Sequence, residues 1–272
     1  MNFIPGLRIS IVLLLAAIGT VGGGEIREFS VPTLERLGNE LYYRDNLAAR
    51  SSELLLKTEP VARSLKIRGW ITDLNKSGDV VYWIADTPSG PTLAYTVTFH
   101  GSMNPDLEDV RGQPLPANIA LRYKARQTAA DALKGKLYKL DYNFEILTDP
   151  DGSGFLVYAL GATDNRDEIV LGGHFRVTVS ADGERAERVD ALSKSLLVNK
   201  EGEGLPPDSH QVGMYMTQLV SEKPVETLVY TNRLTGQPIA VATAPGGQVW
   251  YIENGRMTRE KTGRPSSKQK RR

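Results

Sequence analysis

The spacing of apolar residues near the start of the chain predicts a long amphipathic helix. From Thr33 to Lys57, leucines recur at intervals of three and four residues and share one stripe. Ser30 and Pro32 precede this segment, and both residue types are common where helices begin. We expect the helix to pack on its own domain, with partner binding or self-association as the alternative.

From Lys66 onward the period changes to the alternation of β-strands. KIRGWITDL, DVVYWIADT and TLAYTVTF are rich in β-branched and aromatic residues, and turn-forming segments separate them. We therefore predict three antiparallel strands. Their aromatic residues are expected to pack in the core: Trp70, Tyr82, Trp83, Tyr95 and Phe99.

A second helix is predicted from about Ala117 to Lys134. Asn118 is suited to capping its start, and Gly135 is suited to ending it. Part of the segment, NIALRYKA, also alternates and is compatible with a strand.

The remainder of the chain predicts further antiparallel strands separated by short turns rich in glycine and aspartate. The predicted strands are KLYKLDYNFEIL, GFLVYALGA, EIVLGGHFRVTVS, ERAERVDALS, QVGMYMTQLV, ETLVYTNRL, QPIAVATA and QVWYIEN. Because regular helices for parallel crossovers are lacking, we predict an α+β fold with an antiparallel β-rich body, an N-terminal amphipathic helix and one further helix.

The N-terminus has the pattern of a secretory signal peptide. Arg8 precedes an apolar run from Ile9 to Val21, and three glycines follow. The run is shorter than the roughly 20 residues that a membrane-spanning helix needs. We expect a signal peptide over residues 1–24 and a periplasmic or secreted protein, with an uncleaved inner-membrane anchor as the alternative.

The composition is that of an ordinary globular protein, with 40% apolar and 24% charged residues in a chain of 272. Cysteine is absent, which excludes disulfides, thiolate metal sites and a cysteine nucleophile. Residues 25–148 are predicted to hold the first helix, strands and the second helix. Residues 149–257 are predicted to form an antiparallel β region that packs with them as one unit.

Positive charge is concentrated at the C-terminus. Residues 256–272 hold eight lysines and arginines and one glutamate, whereas residues 25–255 hold 24 cations and 31 anions. We predict a basic disordered tail over residues 258–272, able to attract an anionic membrane surface. Nucleic acid is not expected as a partner of an exported protein. The candidate partner contacts in the tail are Arg264, Lys268, Lys270, Arg271 and Arg272.

The segment GGHFRVTVSADGERAERV predicts a hairpin whose turn is formed by Asp182 and Gly183. Alternation puts His174 and Arg176 on a polar side, which we expect to face solvent or a groove. A catalytic or ligand-binding role for His174 is the alternative, because histidine is the natural acid-base group near neutral pH. Arg176 is a further candidate ligand or partner contact.

The segment DPDGSGF resembles the start of a calcium-binding loop. Asp149, Asp151 and Ser153 occupy the first ligand positions of an EF-hand-like pattern. The twelfth position is Leu160 instead of a bidentate glutamate, and a hairpin turn explains the same residues. We expect no cofactor, with calcium as the alternative.

The segment VLGGHFRVTVSADG, preceded by RYKARQTAADAL and GFLVYALGATDN, resembles uncharacterised bacterial proteins that carry a secretion signal. The resemblance covers about residues 65 to 255. It implies an envelope location and carries no known activity.

The sequence contains no GxSxG, HExxH, P-loop or dinucleotide-binding pattern. We therefore predict an exported bacterial envelope protein that acts as a non-enzymatic binding module for an envelope protein or surface polymer. One alternative is an envelope hydrolase acting on cell-wall or surface polymers, with His174 as general base oriented by Asp190. Another is a periplasmic small-ligand carrier with a closed apolar cavity behind the first three strands.

Overall fold

The computed structural model describes residues 26–58, 66–101, 104–165, 167–200, 202 and 211–260. The helices are α1 (Val31–Thr58), α2 (Ala117–Ala132) and α3 (Glu226–Thr235). The strands are β1 (Ile67–Asp73), β2 (Asp79–Thr87), β3 (Gly90–Phe99), β4 (Asp106–Asp109), β5 (Asp141–Thr148), β6 (Phe155–Ala162), β7 (Glu168–Gly172), β8 (Phe175–Val179), β9 (Ala186–Ala191), β10 (Leu197–Lys200), β11 (Met214–Gln218), β12 (Ile239–Thr243), β13 (Gln248–Glu253) and β14 (Arg256–Arg259). The predicted α+β class with an N-terminal helix is confirmed.

In the part of the chain that the structure describes, the strands form three four-stranded sheets and one two-stranded sheet. The first sheet has the order β1-β2-β3-β4, the central sheet β5-β6-β8-β9 and the C-terminal sheet β11-β12-β13-β14, while β7 pairs with β10. Within the described ranges, no helix is long and apolar enough to cross a membrane.

The central sheet is buried on both faces. Helix α2 packs on one face in a cluster that includes Ile119, Val157 and Val177. The other face contributes Leu156 to a second cluster, which also contains Leu37 of α1. Buried polar side chains, among them Tyr158 and Arg176, also lie on this second face, between the sheet and the helices α1 and α3.

Helix α1 also covers the first sheet, as its leucine stripe predicts. Leu47 and Leu55 pack against Trp83, Tyr95 and Phe99 in a third apolar cluster. These side chains occupy the space behind the first three strands, where the ligand-carrier alternative requires a cavity. The prediction that the aromatic residues of these strands belong to the core is confirmed for Trp83, Tyr95 and Phe99, whereas Trp70 and Tyr82 are partly buried and pack against the apolar clusters.

Helix α2 forms where its sequence predicts, but Asn118 does not cap it. The residue at the cap position is Pro116, which has no side chain able to accept a hydrogen bond. Asn118 instead donates a hydrogen bond of 3.3 Å from Nδ2 to Oδ2 of Asp73 in the first sheet. Gly135 adopts a φ of 75° in the turn after the helix, a conformation that glycine tolerates readily.

The segment ETLVYTNRL was predicted as a strand and forms helix α3 instead. Its β-branched and aromatic residues are typical of strands, but seven consecutive residues from Glu226 to Asn232 are buried. Because these first two turns of the helix are buried on all sides, they have no solvent-facing polar stripe, and the helical period is hidden in the sequence. Helix α3 connects β11 to β12, which pair in parallel, so the body is not wholly antiparallel.

Two further boundaries differ from the prediction. The segment EIVLGGHFRVTVS divides into β7 and β8, which belong to different sheets, and Gly173 between them has a φ of 104°. The predicted hairpin of β8 and β9 is confirmed. Thr258 and Arg259 were assigned to the disordered tail, but they pair with β13 as part of β14.

Several predicted features lie outside the described residues. These are the signal peptide over residues 1–24 and the tail cations Arg264, Lys268, Lys270, Arg271 and Arg272. The boundary drawn between residues 148 and 149 falls between the paired strands β5 and β6. Leu147 and Leu156 on its two sides share one apolar cluster.

Candidate functional site

A row of four polar side chains crosses the central sheet. Glu145 pairs with Tyr158, Tyr158 with Arg176, and Arg176 with Asp190, so each lies on the strand next to the previous one. Paired residues of adjacent strands point to the same face of a sheet. We call these four residues the polar row, and each of them is at most 3% exposed.

Arg176 is the centre of the polar row. Its Nη2 atom donates to Oδ2 of Asp190 at 2.7 Å, and its Nη1 atom donates to Oε1 of Glu226 at 2.5 Å. Glu226 is the first residue of α3, and its Oε1 atom also accepts a hydrogen bond of 2.8 Å from the hydroxyl of Tyr158. One guanidinium therefore joins two strands of the sheet to the helix above them.

The segment Ile26–Ser30, which precedes α1, covers the other side of Arg176. The backbone carbonyl of Arg27 accepts a hydrogen bond from Arg176 Nη2, and its backbone N–H donates to Asp190 at 3.3 Å. The ring of Phe29 lies 4.8 Å from the guanidinium carbons of both Arg27 and Arg176. Ionic, backbone and cation–π contacts thus fix this segment to the polar row.

The electrostatics of the polar row favour a permanent charge on Arg176. Burial alone lowers the pKa of Arg176, but the charge of Glu226 and the hydrogen bond to Asp190 outweigh burial and raise it. Burial, reinforced by the charge of Glu226, raises the pKa of Tyr158 well above its usual value. The centre of the row therefore combines a cationic arginine with a neutral tyrosine.

Two buried carboxyl groups lie at the other end of the polar row. Burial, together with the nearby charge of Asp45, raises the pKa of Glu145 to about 8. Trp70 Nε1 donates to Glu145 at 2.8 Å. Burial also raises the pKa of Asp45, which accepts hydrogen bonds from Asn143 at 3.0 Å and from Tyr230 at 2.9 Å.

His174 and Asp190, the residues of the hydrolase hypothesis, have other partners. The Nδ1 atom of His174 accepts a hydrogen bond of 3.0 Å from the N–H of Gly161, so Nε2 donates to the carbonyl of Val170 at 3.2 Å. Burial lowers the pKa of His174 to about 4, which keeps the ring neutral at pH 7. Asp190 accepts from Arg176 and, at 2.6 Å, from Arg188.

The expectation that the polar side of β8 faces solvent or a groove was wrong. His174, Arg176, Thr178 and Ser180 are all less than 9% exposed. They are covered because the segment Ile26–Ser30 and helix α3 pack on this face. Arg176, a candidate partner contact, is fully buried in ion pairs.

The predicted calcium ligands contact a cation supplied by the chain. The Nη1 and Nη2 atoms of Arg27 donate to Asp149 at 2.7 and 2.8 Å, and Nη2 also reaches Asp151 at 3.1 Å. Ser153 is exposed. The hydrogen bonds from Arg27 outweigh burial and lower the pKa of Asp149. Calcium binding stays a prediction, and it would compete with Arg27 for both carboxylates.

The arrangement is suited to holding elements together rather than to reaching a substrate. The crevice between Ile26–Phe29 and Ser221–Glu226 has a volume of about 10 Å³, which is the size of about one water molecule. Substrate pockets are commonly ~300–1,000 Å³. This crevice, which borders Arg27 and Glu226, is therefore too small for a substrate.

Sequence reasoning missed Glu145, Tyr158, Glu226 and Arg27 as members of this network. A signal was present, because Glu145 stands inside the apolar run FEIL and Arg176 inside FRVTV. A charge within a buried strand needs a partner in the fold. The sequence did not identify that partner, since pairing of distant strands sets the register.

A second feature is the outer face of the C-terminal sheet, where Tyr215, Ala240 and Tyr251 lie in register on three adjacent strands. Tyr215 is 48% exposed and Tyr251 is 45% exposed. Four further positions on this face are uncharged, namely Thr217, Ala242, Val249 and Thr258, while the charged pair Glu253 and Arg256 lies next to Tyr251 and Thr258 on the same face. We call Tyr215, Ala240, Tyr251 and these four uncharged residues the tyrosine face.

Comparison of the chain with protein families, with curated proteins and with solved structures gave no significant match.

Proposed function

We propose that the chain is an exported, non-enzymatic binding module of the bacterial envelope, and that the tyrosine face contacts its macromolecular partner. The observation that carries the proposal is the exposure of Tyr215 and Tyr251 on either side of the small residue Ala240. The backbones that carry the two tyrosines are two strand spacings apart, which is roughly 10 Å. The partner is an envelope protein or a surface polymer.

The chemistry of the tyrosine face suits a binding surface. Tyrosine combines a large apolar ring with a polar hydroxyl, and it is enriched where proteins contact one another. Tyr215 and Tyr251 are held on strands, whose backbone is already ordered. Binding therefore has to immobilise few rotatable bonds, and its entropy cost is small. The small side chain of Ala240 between them leaves room for a ring, an aliphatic side chain or a sugar to contact both tyrosines.

The burial of His174 and Asp190 supports the non-enzymatic part of the proposal. A general base must come within hydrogen-bonding distance of the proton that it removes. Both ring nitrogens of His174 bond to backbone groups, and the side chain is 2% exposed. Asp190 is committed to arginines and 3% exposed.

The predicted basic tail supplies a second contact in the proposal. Strand β14 is an edge strand of the C-terminal sheet, so the tail follows directly from the sheet that carries the tyrosine face. Its cations would attract anionic lipid or polymer, each charge contributing about 1 kcal/mol near such a surface. The tyrosine face then supplies the specific contact.

The proposal is tested by binding of the purified full chain to three separated envelope fractions: cell-wall sacculi, membranes and soluble envelope proteins. The variant Tyr215→Ser/Tyr251→Ser should weaken binding to one fraction at least tenfold. Leu56→Ser/Leu234→Ser removes two apolar side chains of similar exposure elsewhere and should change binding less than twofold. Equal binding by wild type and both variants would contradict the proposal.

A further inference from the structure

A groove lined by three arginines lies at one end of the C-terminal sheet. It has a volume of about 440 Å³ and lies between the start of α1, the end of α3 and the turn from β13 to β14. We call it the arginine groove. The residues that matter to its chemistry are Glu35, Arg36, Asn39, Arg233, Asn254 and Arg256.

Hydrogen bonds between the three elements fix the floor of the groove. Asn39 Nδ2 donates to the carbonyls of Glu35 at 2.7 Å and of Gly255 at 2.9 Å, and the N–H of Gly255 donates to Asn232 at 2.8 Å. Gly255 has a φ of 75°, and a Cβ atom there would lie 2.3 Å from Asn39 Oδ1. The turn therefore requires glycine and is held closely against α1.

Positive charge prevails in the groove because its lining contains three arginines and one acidic residue, Glu35. One oxygen of Glu35 accepts from the N–H of Met257 at 2.7 Å, and the other accepts from Arg256 Nη1 at 3.1 Å. Arginine has five N–H donors, so this contact leaves most of the Arg256 fork available. The Arg256 side chain is 78% exposed.

The other two arginines are held loosely by their neighbours. Arg36 Nη1 lies 3.5 Å from Glu40 Oε2, a long contact between partly exposed groups. The guanidinium carbon of Arg233 lies 5.2 Å from the ring centre of Tyr42, a cation–π contact that leaves the N–H donors at the edge of the fork available. The three guanidinium groups thus approach the groove from three separate elements.

We propose that the arginine groove binds a phosphate-bearing group. Guanidinium forks match the oxygen geometry of phosphate, and three directions of approach suit a tetrahedral anion better than a planar one. The volume is within the range of small-molecule sites, ~300–1,000 Å³. The site shares no residue with the tyrosine face, so either proposal can fail without the other.

Titration calorimetry of the full chain in chloride buffer tests the site, with inorganic phosphate and glycerophosphoglycerol as probes. We expect saturable binding of phosphate in the millimolar range. The variant Arg36→Gln/Arg233→Gln should weaken it at least tenfold, whereas Arg68→Gln/Arg185→Gln, with the same loss of charge at exposed positions elsewhere, should weaken it less than twofold. Glycerophosphoglycerol is a phosphodiester like that of a lipid headgroup. Tighter binding of inorganic phosphate than of this diester identifies free phosphate or a phosphomonoester as the ligand, and equal binding of the two probes identifies a lipid headgroup.

Two results would overturn the site: no saturable heat with either probe, or equal weakening by the two double variants. Thermal unfolding of each variant controls for folding. If the glutamine variant unfolds, Arg36→Lys/Arg233→Lys retains the charge without the fork and should still weaken binding at least threefold. Unchanged affinity in a folded lysine variant would contradict recognition by guanidinium groups.

Discussion

The Nη1 atom of Arg176 lies 2.5 Å from Oε1 of Glu226, and both side chains are fully buried. Arg176 belongs to β8 and Glu226 to the first turn of α3, so this ion pair joins the central sheet to the helix that leads into β12. A buried charge that loses its partner is strongly destabilising. The pair therefore holds together the scaffold that carries the tyrosine face.

The first prediction concerns the loss of this ion pair. Arg176→Met should lower the free energy of unfolding by about 3–5 kcal/mol, because Glu226 is left charged and buried. Asp190 keeps its ion pair with Arg188 in this variant, so most of the loss of stability comes from Glu226, which loses its cationic partner. Urea denaturation measures the change, and Arg185→Met, on the exposed turn of the same hairpin, should cost less than about 0.5 kcal/mol.

A double-mutant cycle separates the ion pair from the packing of Arg176. Arg176→Met combined with Glu226→Gln should cost less than the sum of the single variants by at least about 1 kcal/mol. Strictly additive losses would show that the pair is not coupled.

The second prediction concerns Glu145 at high pH. Its pKa is 4.5 in the unfolded chain and about 8 in the fold, so the folded state binds more protons between these values. The contribution of Glu145 to stability is complete below pH 4.5 and is lost as the pH rises through 8. Glu145→Gln should be more stable than wild type at pH 9, by a few kcal/mol.

Urea denaturation at pH 5 and pH 9 measures this effect. The advantage of Glu145→Gln over wild type should be much smaller at pH 5, where the carboxyl group in the fold is already protonated. Glu187→Gln, at an exposed position of β9, is the control and should show no such dependence on pH. An equal advantage of Glu145→Gln at both pH values would refute the electrostatic explanation.

The third prediction concerns His174 at low pH. Burial lowers its pKa from 6.5 to about 4, so the unfolded chain takes up the proton first on acidification. The stability that His174 contributes is complete above pH 6.5 and is lost as the pH falls through 4. Urea denaturation at pH 7 and pH 5 should show that His174→Phe lowers stability at pH 7 but flattens the fall of stability between these two values.

The fourth prediction concerns calcium. Binding at Asp149 and Asp151 requires both carboxylates to exchange Arg27 for the metal. We expect no heat when millimolar calcium is added to the wild-type chain. Calorimetry tests this directly, and a one-to-one signal that disappears in Asp149→Asn would establish the calcium alternative.

Local patterns predicted most of the fold. The leucine spacing of α1 and the alternation along β1 to β3 are properties of adjacent residues, and both elements formed as expected. The hairpin of β8 and β9 was predictable because Asp182 and Gly183 suit its turn. The prediction of a strand at α3 was wrong. The first two turns of this helix are buried on all sides, so they lack the solvent-facing polar stripe by which a helix is recognised.

The polar row could not be predicted, because its geometry depends on long-range pairing. Glu145 and Asp190 lie on the two edge strands of the central sheet, and the order β5-β6-β8-β9 brings Tyr158 and Arg176 between them. The burial of His174 likewise depends on the segment Ile26–Ser30 and on α3, which are remote in sequence. Alternation assigned His174 to the polar side of its strand, but it could not show what covers that side.

The central claim is that the tyrosine face contacts a partner in the envelope. A photo-crosslinking amino acid placed at position 251 in living cells tests it most directly, with position 234, on the exposed part of α3, as the control. We expect one dominant crosslinked envelope component from position 251 and none from position 234. No crosslink from position 251, or the same products from both positions, would contradict it.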